Sequence, residues 1–347
     1  MKRSAIRDPL PLAGVQVLDL TRLLPGPLAA LELQRLGATV LKIEGPPGQQ
    51  DGARELWRTD AEREAGEPAL MFRRLNEGKA LRTLDLRVDA DRAALLDEVA
   101  RADVLVEGFR PGAMGRLGLG WDMLSALNPR LVMCSISGYG QTGPWAQRAG
   151  HDINYIAMAG VLHQLAGPDG EPVAPGFQIG DLMGGTQAAV AGILAALLAV
   201  QRGGGGRHVD ISMTHEVSRH HVLAGLVLAQ TGRAPVPGRD LLSGGAPCYG
   251  VYRTKDGRHL AVGALEWPFW QRLCTALGRP DWADRHWSRG LAVGSAEALA
   301  LRTELATLLS TRTMAGWWAL LEPVDCCVTP VLKLDECHAH VLFENKE

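Results

Sequence analysis

Short apolar segments that alternate with helical patterns fill the first 213 residues, and they restrict the possible folds more than any other feature. Residues 15–20 form an apolar run of strand length, and residues 28–36 follow with helical spacing and stop at Gly37. Further segments of strand character lie at residues 38–44, 103–108, 130–137 and 208–213. Since such strands are apolar on both faces, helices must cover them on both sides. The pattern predicts a Rossmann-like α/β domain with a parallel sheet.

The carboxyl ends of the predicted strands indicate where this domain binds a ligand. In parallel sheets, ligands occupy the crevice outside those ends. The loops concerned begin at Thr21, Gly45, Phe109 and Gly138. We therefore expect functional residues on these loops.

A change in composition towards the end of the chain marks a second domain. Six of the nine tryptophans lie beyond residue 260. Residues 249–262 have a strand–turn–strand pattern with Asp256-Gly257 as the turn, and helical patterns follow. We divide the chain into a large α/β domain at residues 1–213, a linker helix within 214–243, a small α+β domain at 244–323 and a return segment at 324–347.

Bulk composition narrows the class of protein. The formal net charge of −2 gives no general attraction for nucleic acid or an anionic membrane surface. The apolar stretch at residues 188–200 is too short for a bilayer span, and the first residues lack the apolar core of a signal peptide. Six cysteines in 347 residues do not suggest a disulfide framework. We expect a cytoplasmic protein with no nucleic-acid or membrane partner.

His151 lies at the predicted start of a helix, after a loop rich in glycine at residues 138–150. The positive end of the helix dipole disfavours a protonated imidazole, so a histidine there can act as a neutral base. The unpaired amides of such a helix start, at Asp152 in particular, can hold an oxyanion. The alternative is that Asp152 only caps the helix and His151 has no catalytic role.

Asp181 repeats this arrangement at the start of a long predicted helix, residues 180–201. Glycines at positions 180, 184 and 185 would let a ligand or another backbone approach closely. A carboxylate that only caps the helix is again the alternative.

Further polar candidates follow two other predicted strands. Arg110 and Arg116 lie on a glycine-rich loop after residues 103–108, where guanidinium groups can bind phosphate through paired hydrogen bonds. Glu266 follows the second strand of the hairpin, among aromatic residues. Solvated surface residues are the alternative for all three.

Neither a metal site nor a hydrolase triad is predicted. The pairs His220-His221, Cys326-Cys327 and Cys337-His338 lack the spacing of zinc ligands. The sequence also lacks the G-x-S-x-G element that forms the nucleophile elbow of α/β-hydrolases.

Stretches along the whole chain carry a family resemblance, from PLAGVQVLDLTRLLPGPLAALELQRLGATVLKIE near the start to DCCVTPVL near the end. Together they resemble the family III CoA-transferase superfamily, and its α-methylacyl-CoA racemase branch most closely. GYGQTGP and RPG are typical of the superfamily, whereas GHDINY and the GGAP–GALE pair are more specific to the racemases. The resemblance implies an interlocked homodimer in which each active site combines the large domain of one subunit with the small domain of the other.

The resemblance also implies roles for individual residues. In the racemases the histidine of GHDINY and the aspartate of the GD-x-x-GG element transfer the protons, which here are His151 and Asp181. Glu266, in GALE, is similar to a supporting acid, and Arg116 is similar to an arginine that contacts the CoA phosphates. No separate cofactor is implied, because CoA arrives as part of the acyl-CoA substrate.

The implied reaction inverts the α-carbon of a 2-methylacyl-CoA through an enolate. One group removes the α-proton on one face while the other returns a proton on the opposite face. Side chains near the site would give the acyl chain an apolar and deformable surface, unless they only fill the core. These residues are Met158, Met183, Met213 and Tyr155.

Two features depart from the family pattern. Family members carry a basic run where this chain reads NEGKA at residues 76–80. We expect Lys79, with Arg73 and Arg74, to compensate in CoA binding. The chain also ends at residue 347, where family members usually continue into a C-terminal tail.

A CoA transferase of the same superfamily is the alternative function. Those enzymes use the aspartate at the position of Asp181 as a nucleophile, and they generally lack the histidine of GHDINY. His151 is therefore the residue that favours a racemase. The sequence does not specify the acyl chain.

Overall fold

The computed structural model describes residues 9–166 and 170–343, which divide into two compact units. Unit 1 comprises residues 1–162 and 174–222, and unit 2 comprises residues 163–173 and 223–347. The chain therefore passes from unit 1 to unit 2 and back before it enters unit 2 for the second time.

Unit 1 contains, within the described residues, a parallel sheet of six strands in the order β3-β2-β1-β4-β5-β6. The strands are β1 (Gln16–Leu20), β2 (Thr39–Glu44), β3 (Ala80–Thr83), β4 (Val104–Glu107), β5 (Val132–Ser137) and β6 (Arg207–Ser212). This is the strand order of a doubly wound, Rossmann-like fold, in which the chain reverses its direction of winding between β1 and β4. The predicted fold class is confirmed.

Helices cover both faces of this sheet. Along β4, Val104 and Val106 enter one hydrophobic core, whereas Leu105 enters the other. The helices from the start of the chain to residue 231 are α1 (Pro25–Arg35), α2 (Asp60–Glu64), α3 (Leu70–Leu75), α4 (Asp89–Val99), α5 (Ala113–Arg116), α6 (Trp121–Leu127), α7 (Asp152–Met158), α8 (Val161–Gln164), α9 (Ala188–Gln201), α10 (Met213–His220) and α11 (Val222–Thr231).

Unit 2 is built on a small antiparallel sheet in the order β7-β8-β9. Its elements are β7 (Tyr249–Arg253), β8 (His259–Gly263), β9 (Val328–Pro330), α12 (Trp267–Ala276), α13 (Ala296–Leu309), α14 (Met314–Leu321) and α15 (Leu334–His338). Trp270, Trp282 and Trp317 are buried in its core, which accounts for the tryptophan-rich composition of this part of the chain.

Two local predictions are wrong, and one strand was not predicted. The sequence predicts a single α-helix at residues 180–201, but Gly180–Gln187 winds as a π-helix and the α-helix begins at Ala188. The sequence predicts one linker helix within residues 214–243, but this segment is divided at His221 into α10 and α11. Strand β3 was not predicted, because its four exposed residues have no apolar pattern.

The helical run Gly180–Gln201 has 22 residues and a mean hydropathy of 1.8 over its most apolar window, so it is long and apolar enough to cross a membrane. The expectation that this apolar stretch is too short for a membrane span rests on residues 188–200 alone. Five side chains of α9 are buried in the core of unit 1, and core helices of soluble proteins meet the same two criteria.

Candidate active site

The loop after β5 brings His151 to the carboxyl edge of the sheet. Gly138 and Gly150 pack against the ring of Tyr155, where a Cβ would lie 2.4 and 2.8 Å from Cε1 of that ring. Tyr155 is buried and meets Tyr139 edge to face, with 5.4 Å between the ring centroids. Because this tyrosine anchors α7, His151 is fixed at the N-cap position of the helix, with its side chain exposed.

Glycines also bring Asp181 to this edge of the sheet. A Cβ at Gly184 would lie 2.6 Å from the carbonyl oxygen of Met213, and one at Gly185 would lie 2.7 Å from Cβ of Pro25. The π-helix can therefore lie directly against α10 and the start of α1. Asp181 is half-buried in the first π-helical turn, and turns of this kind are frequent at functional sites.

One cavity of about 530 Å³ in unit 1, the active-site cavity, brings several predicted site residues together. They are His151, Asp181, Arg110, Tyr155 and Met213. Residues from the loops after β1, β4 and β5 complete its wall, as expected for the carboxyl edge of a parallel sheet.

Two arginines of this cavity, Arg22 and Arg148, escape the sequence analysis. Arg148 stacks on the ring of Trp145, with its guanidinium carbon 4.6 Å from the ring centroid. Guanidinium groups on loops are usually solvated surface groups. Only the position of Arg22, directly after a parallel strand, could have singled it out.

The ionisation of Asp181 is displaced towards neutral pH. Burial, and to a lesser extent the negative charge of Asp152, raise the pKa of Asp181 to about 6, while His151 acts in the opposite direction. Oδ1 of Asp152 also accepts a hydrogen bond from the backbone N–H of Asp181 at 2.9 Å. A carboxyl group that titrates in this range can donate as well as accept a proton.

The predicted acyl surface is only partly assembled at the cavity. Met213 and Tyr155 are buried in its wall. Met158 is 54% exposed, Met183 is half-buried, and neither belongs to the lining of the cavity.

Lys79 lies in the interior of unit 1 rather than at a binding surface. Its ammonium donates to Oδ2 of Asp19 at 2.9 Å, to the carbonyl oxygen of Pro27 at 2.7 Å and to Oδ1 of Asn76 at 3.0 Å. An ammonium has three protons, so none is left for a phosphate. This arrangement corrects the expectation of a CoA contact at Lys79.

Arg116 lines a separate open cleft of about 550 Å³ together with Arg87 and Arg92, which we name the arginine cleft. A middle cavity of about 120 Å³ shares Arg87 with this cleft. The same middle cavity shares Thr21 and Phe109 with the active-site cavity. The middle cavity therefore neighbours both of the other two spaces.

Glu266 belongs to unit 2, where it is the N-cap residue of α12, three residues after the end of β8. Its exposed side chain forms no capping hydrogen bond to the helix. In the part of the chain that the structure describes, no group of three or more His, Cys, Asp or Glu side chains could hold a metal ion.

Comparison with known proteins finds relatives that catalyse two different reactions. The family model of CoA-transferase family III matches residues 12–347. Human α-methylacyl-CoA racemase is 34% identical over 340 residues, which cover 97% of this chain and 81% of the human protein. Acetyl-CoA:oxalate CoA-transferase of Acetobacter aceti is 35% identical over 327 residues, which cover 94% of this chain and 82% of that enzyme. The crystal structure of a CAIB/BAIF family protein from Brucella suis is similar, with a TM-score of 0.80, 28% identity, and 96% and 87% of the two chains covered.

Proposed function

The chain belongs to CoA-transferase family III, and we propose that it is an acyl-CoA racemase that inverts the α-carbon of 2-methylacyl-CoA thioesters. One observation carries the proposal: His151 and Asp181 line the same cavity, and the pKa of Asp181 is raised to about 6, mainly by burial. Inversion requires two groups that can each accept and donate a proton near neutral pH. An imidazole commonly does this, and an aspartate does so only when its pKa is raised.

The proposed reaction moves one proton off the α-carbon and another onto its opposite face. His151 or Asp181 accepts the α-proton, and the electron pair of the C–H bond moves onto the thioester oxygen to give an enolate. The other residue then protonates the α-carbon, and the roles exchange for the opposite enantiomer. The backbone N–H of Asp152 is the proposed donor to the enolate oxygen, an interaction typically worth about 3 kcal/mol.

The three neighbouring cavities suit the successive parts of a CoA thioester. We propose that the acyl group occupies the active-site cavity against Met213 and Tyr155. The pantetheine and the nucleotide would follow the middle cavity, and the phosphates would bind Arg110 and the arginine cleft. Guanidinium groups bind phosphate through paired, charge-assisted hydrogen bonds, which supports this direction.

We also propose that the protein acts as an interlocked homodimer, in which Glu266 of the partner subunit completes each active site. Four apolar side chains of α11 are each at least half exposed in the single chain. Such an apolar surface is typical of a protein–protein interface, which supports the proposed dimer. They are Val222, Leu223, Leu226 and Leu228.

Co-expression of two inactive variants tests this assembly. If sites form between subunits, Asp181→Asn and Glu266→Gln together restore activity, because each mixed dimer contains one site with neither substitution. Random pairing predicts about a quarter of the wild-type activity, since about half of the dimers are mixed. No recovery in a purified mixed dimer would show that each site belongs to a single chain.

A CoA transferase is the second candidate, because the Acetobacter aceti transferase is as similar to this chain as the human racemase. In that reaction the carboxylate of Asp181 attacks the acyl-CoA thioester and releases CoA thiolate, leaving an aspartyl anhydride. A nucleophilic carboxylate must be ionised, so the raised pKa of Asp181 weakens it in this role. His151 also has no part in that chemistry.

Enantiomer-resolved deuterium exchange tests the proposal. Each enantiomer of a 2-methylacyl-CoA is incubated in D₂O without an acceptor acid, and deuterium at the α-carbon is followed. We expect His151→Ala to abolish exchange from one enantiomer and Asp181→Asn to abolish exchange from the other. His220→Ala, an exposed histidine at the end of α10, is the matched control and should exchange both.

Two results would contradict the two-base scheme. Equal loss of exchange from both enantiomers in each variant would show that both residues are needed for every proton transfer, rather than one for each face. Absence of exchange in the wild type, with transfer of CoA to an added carboxylic acid, would establish the transferase instead.

A further inference from the structure

We propose that the carboxylate of Asp152 is a positioning residue for Asp181: it binds the Asp181 main chain and places a second negative charge beside the Asp181 carboxyl group. This role is separate from that of the Asp152 backbone N–H towards the enolate. It rests on the proposed racemase function, because it concerns when Asp181 holds a proton.

The geometry ties the two proton-transfer residues to each other through Asp152. Asp152 is bonded directly to His151 in the chain, and its Oδ1 accepts the backbone N–H of Asp181 at 2.9 Å. These two segments are separated by 29 residues in sequence. One side chain therefore fixes the start of the π-helix relative to the start of α7.

Gly180 makes room for this contact. A Cβ at position 180 would lie 3.0 Å from Oδ1 and 3.3 Å from the carbonyl oxygen of Asp152. Contacts this close are tighter than ordinary van der Waals packing, so a side chain at position 180 would push the two segments apart. The glycine before Asp181 is thus explained by the Asp152 carboxylate rather than by a turn, because its backbone belongs to the π-helix.

The Asp152 carboxylate is not needed to cap its own helix. The N-cap of α7 is His151, whose backbone N–H donates to Oδ1 of Asn154 at 3.0 Å. Oδ1 of Asp152 accepts the backbone N–H of Asp181 instead, and the two carboxyl groups interact electrostatically. A second carboxylate beside an acid disfavours its ionised form.

Several charged and titratable groups face Asp181 from neighbouring elements. Asp152, His151 and Tyr155 of α7 interact with it electrostatically. Three arginines on the loops line the same cavity, namely Arg22, Arg110 and Arg148. Among the residues in the described ranges, no arginine contributes to the shift, so burial and the charge of Asp152 raise the pKa of Asp181 against the effect of His151 alone.

The Asp152→Asn variant distinguishes the effect of the Asp152 charge from the effect of its hydrogen bond to the Asp181 main chain. Asparagine keeps a side-chain oxygen for the Asp181 N–H and nearly the same volume, whereas Asp152→Ala removes the charge and the acceptor together. We expect Asp181 in the Asp152→Asn variant to titrate at lower pH, seen as a shift of its ¹³C-carboxyl resonance. Asp122→Asn, an exposed aspartate in the first turn of α6, is the matched control and should leave the titration unchanged.

Kinetics supply the second measurement. At pH 7 the Asp152→Asn variant should lose activity in the direction in which Asp181 donates its proton, by about tenfold for each pH unit by which the Asp181 titration falls. In the direction in which Asp181 accepts a proton, the acid limb of the pH profile should move to lower pH. An Asp152→Ala variant should also lose activity in the direction in which Asp181 accepts a proton, because the Asp181 main chain is no longer held in place.

The outcomes separate this inference from the proposed function. An Asp181 titration that is the same in wild type and Asp152→Asn overturns the role of Asp152, whatever reaction the enzyme catalyses. A lowered titration in a protein that exchanges no α-deuterium keeps the electrostatic role and rejects the racemase. If Asp152→Ala does not fold, the Asp152→Asn titration still decides.

Discussion

In unit 1 the pKa of the buried Asp19 is lowered, whereas the pKa of the half-buried Asp181 is raised. Burial alone raises the pKa of Asp19, but Lys42, Lys79 and the hydroxyl of Thr21 outweigh it and lower the pKa below its ordinary value. Two ammonium groups stand at 2.9 and 3.8 Å from its Oδ2. Burial likewise raises the pKa of Asp181, but there the nearest carboxylate adds to the effect and the value rises to about 6.

The opposite pKa shifts of Asp19 and Asp181 distinguish a structural carboxylate from one suited to proton transfer. A buried carboxylate that is paired with cations, such as Asp19, has a structural role. It stays ionised near neutral pH and therefore has no proton to transfer. A buried acid without a cation partner is costly to the fold, so it persists where the proton itself is useful. The cations follow the same division, because Lys79 is buried against Asp19 whereas Arg116 is exposed and lines the arginine cleft.

Removing Lys79 gives the largest expected effect on stability. Lys79→Met leaves the carboxylate of Asp19 with one cation fewer in the interior, and breaking a buried pair in this way typically costs about 3–5 kcal/mol. Denaturant unfolding measures the loss. Arg74→Met, an exposed cation five residues away, should change the free energy of unfolding by about 0.5 kcal/mol or less.

An unchanged stability in Lys79→Met, together with a loss of CoA affinity, would contradict this division. Lys79 would then be a substrate ligand, as the sequence suggests, and its three hydrogen bonds to the fold would be incidental.

Asp181→Asn should stabilise the protein in a pH-dependent way. The folded pKa of about 6 lies above the ordinary 3.8, so the native state loses stability as pH rises through this range and Asp181 ionises. The amide removes that cost, which a difference of this size sets at about 3 kcal/mol above pH 7. We expect a higher Tm than wild type at pH 8 and a similar Tm at pH 4, while racemase activity is lost. A Tm difference that does not depend on pH would mean that Asp181 is ionised in the fold like Asp19.

Arg116→Gln should leave the fold intact and weaken substrate binding. Its guanidinium is exposed in the arginine cleft, so stability should change by less than about 0.5 kcal/mol. Loss of one charge-assisted contact to a phosphate should weaken CoA binding by about tenfold, which calorimetry with CoA measures. Equal affinity in wild type and variant would place the phosphates elsewhere on unit 1.

Much of this architecture is readable from the sequence, because apolar strands and helical spacing report which faces are buried. The sheet and its carboxyl-edge loops follow from that pattern. Strand β3 and the π-helix do not, since an exposed edge strand has no apolar alternation and the π winding depends on contacts of Gly184 and Gly185 with distant segments.

The sequence predicts the two proton-transfer residues of the candidate site, but it does not predict the charges that surround them. Helix starts and family motifs singled out His151 and Asp181, yet periodicity could not place Asp152 against Asp181. One feature of the sequence indicates that a charged side chain such as Lys79 is needed in the interior. Asp19 and Lys42 are charged residues within apolar strands, and such residues require partners in the interior.

A single incubation tests the racemase proposal most directly. One enantiomer of a 2-methylacyl-CoA is incubated with the wild-type protein in D₂O, without an acceptor acid, and the recovered thioester is analysed for configuration and α-deuterium. We predict inverted product that carries one deuterium at the α-carbon. Retained configuration without deuterium, followed by CoA transfer once a carboxylic acid is added, would contradict the racemase and establish a CoA transferase.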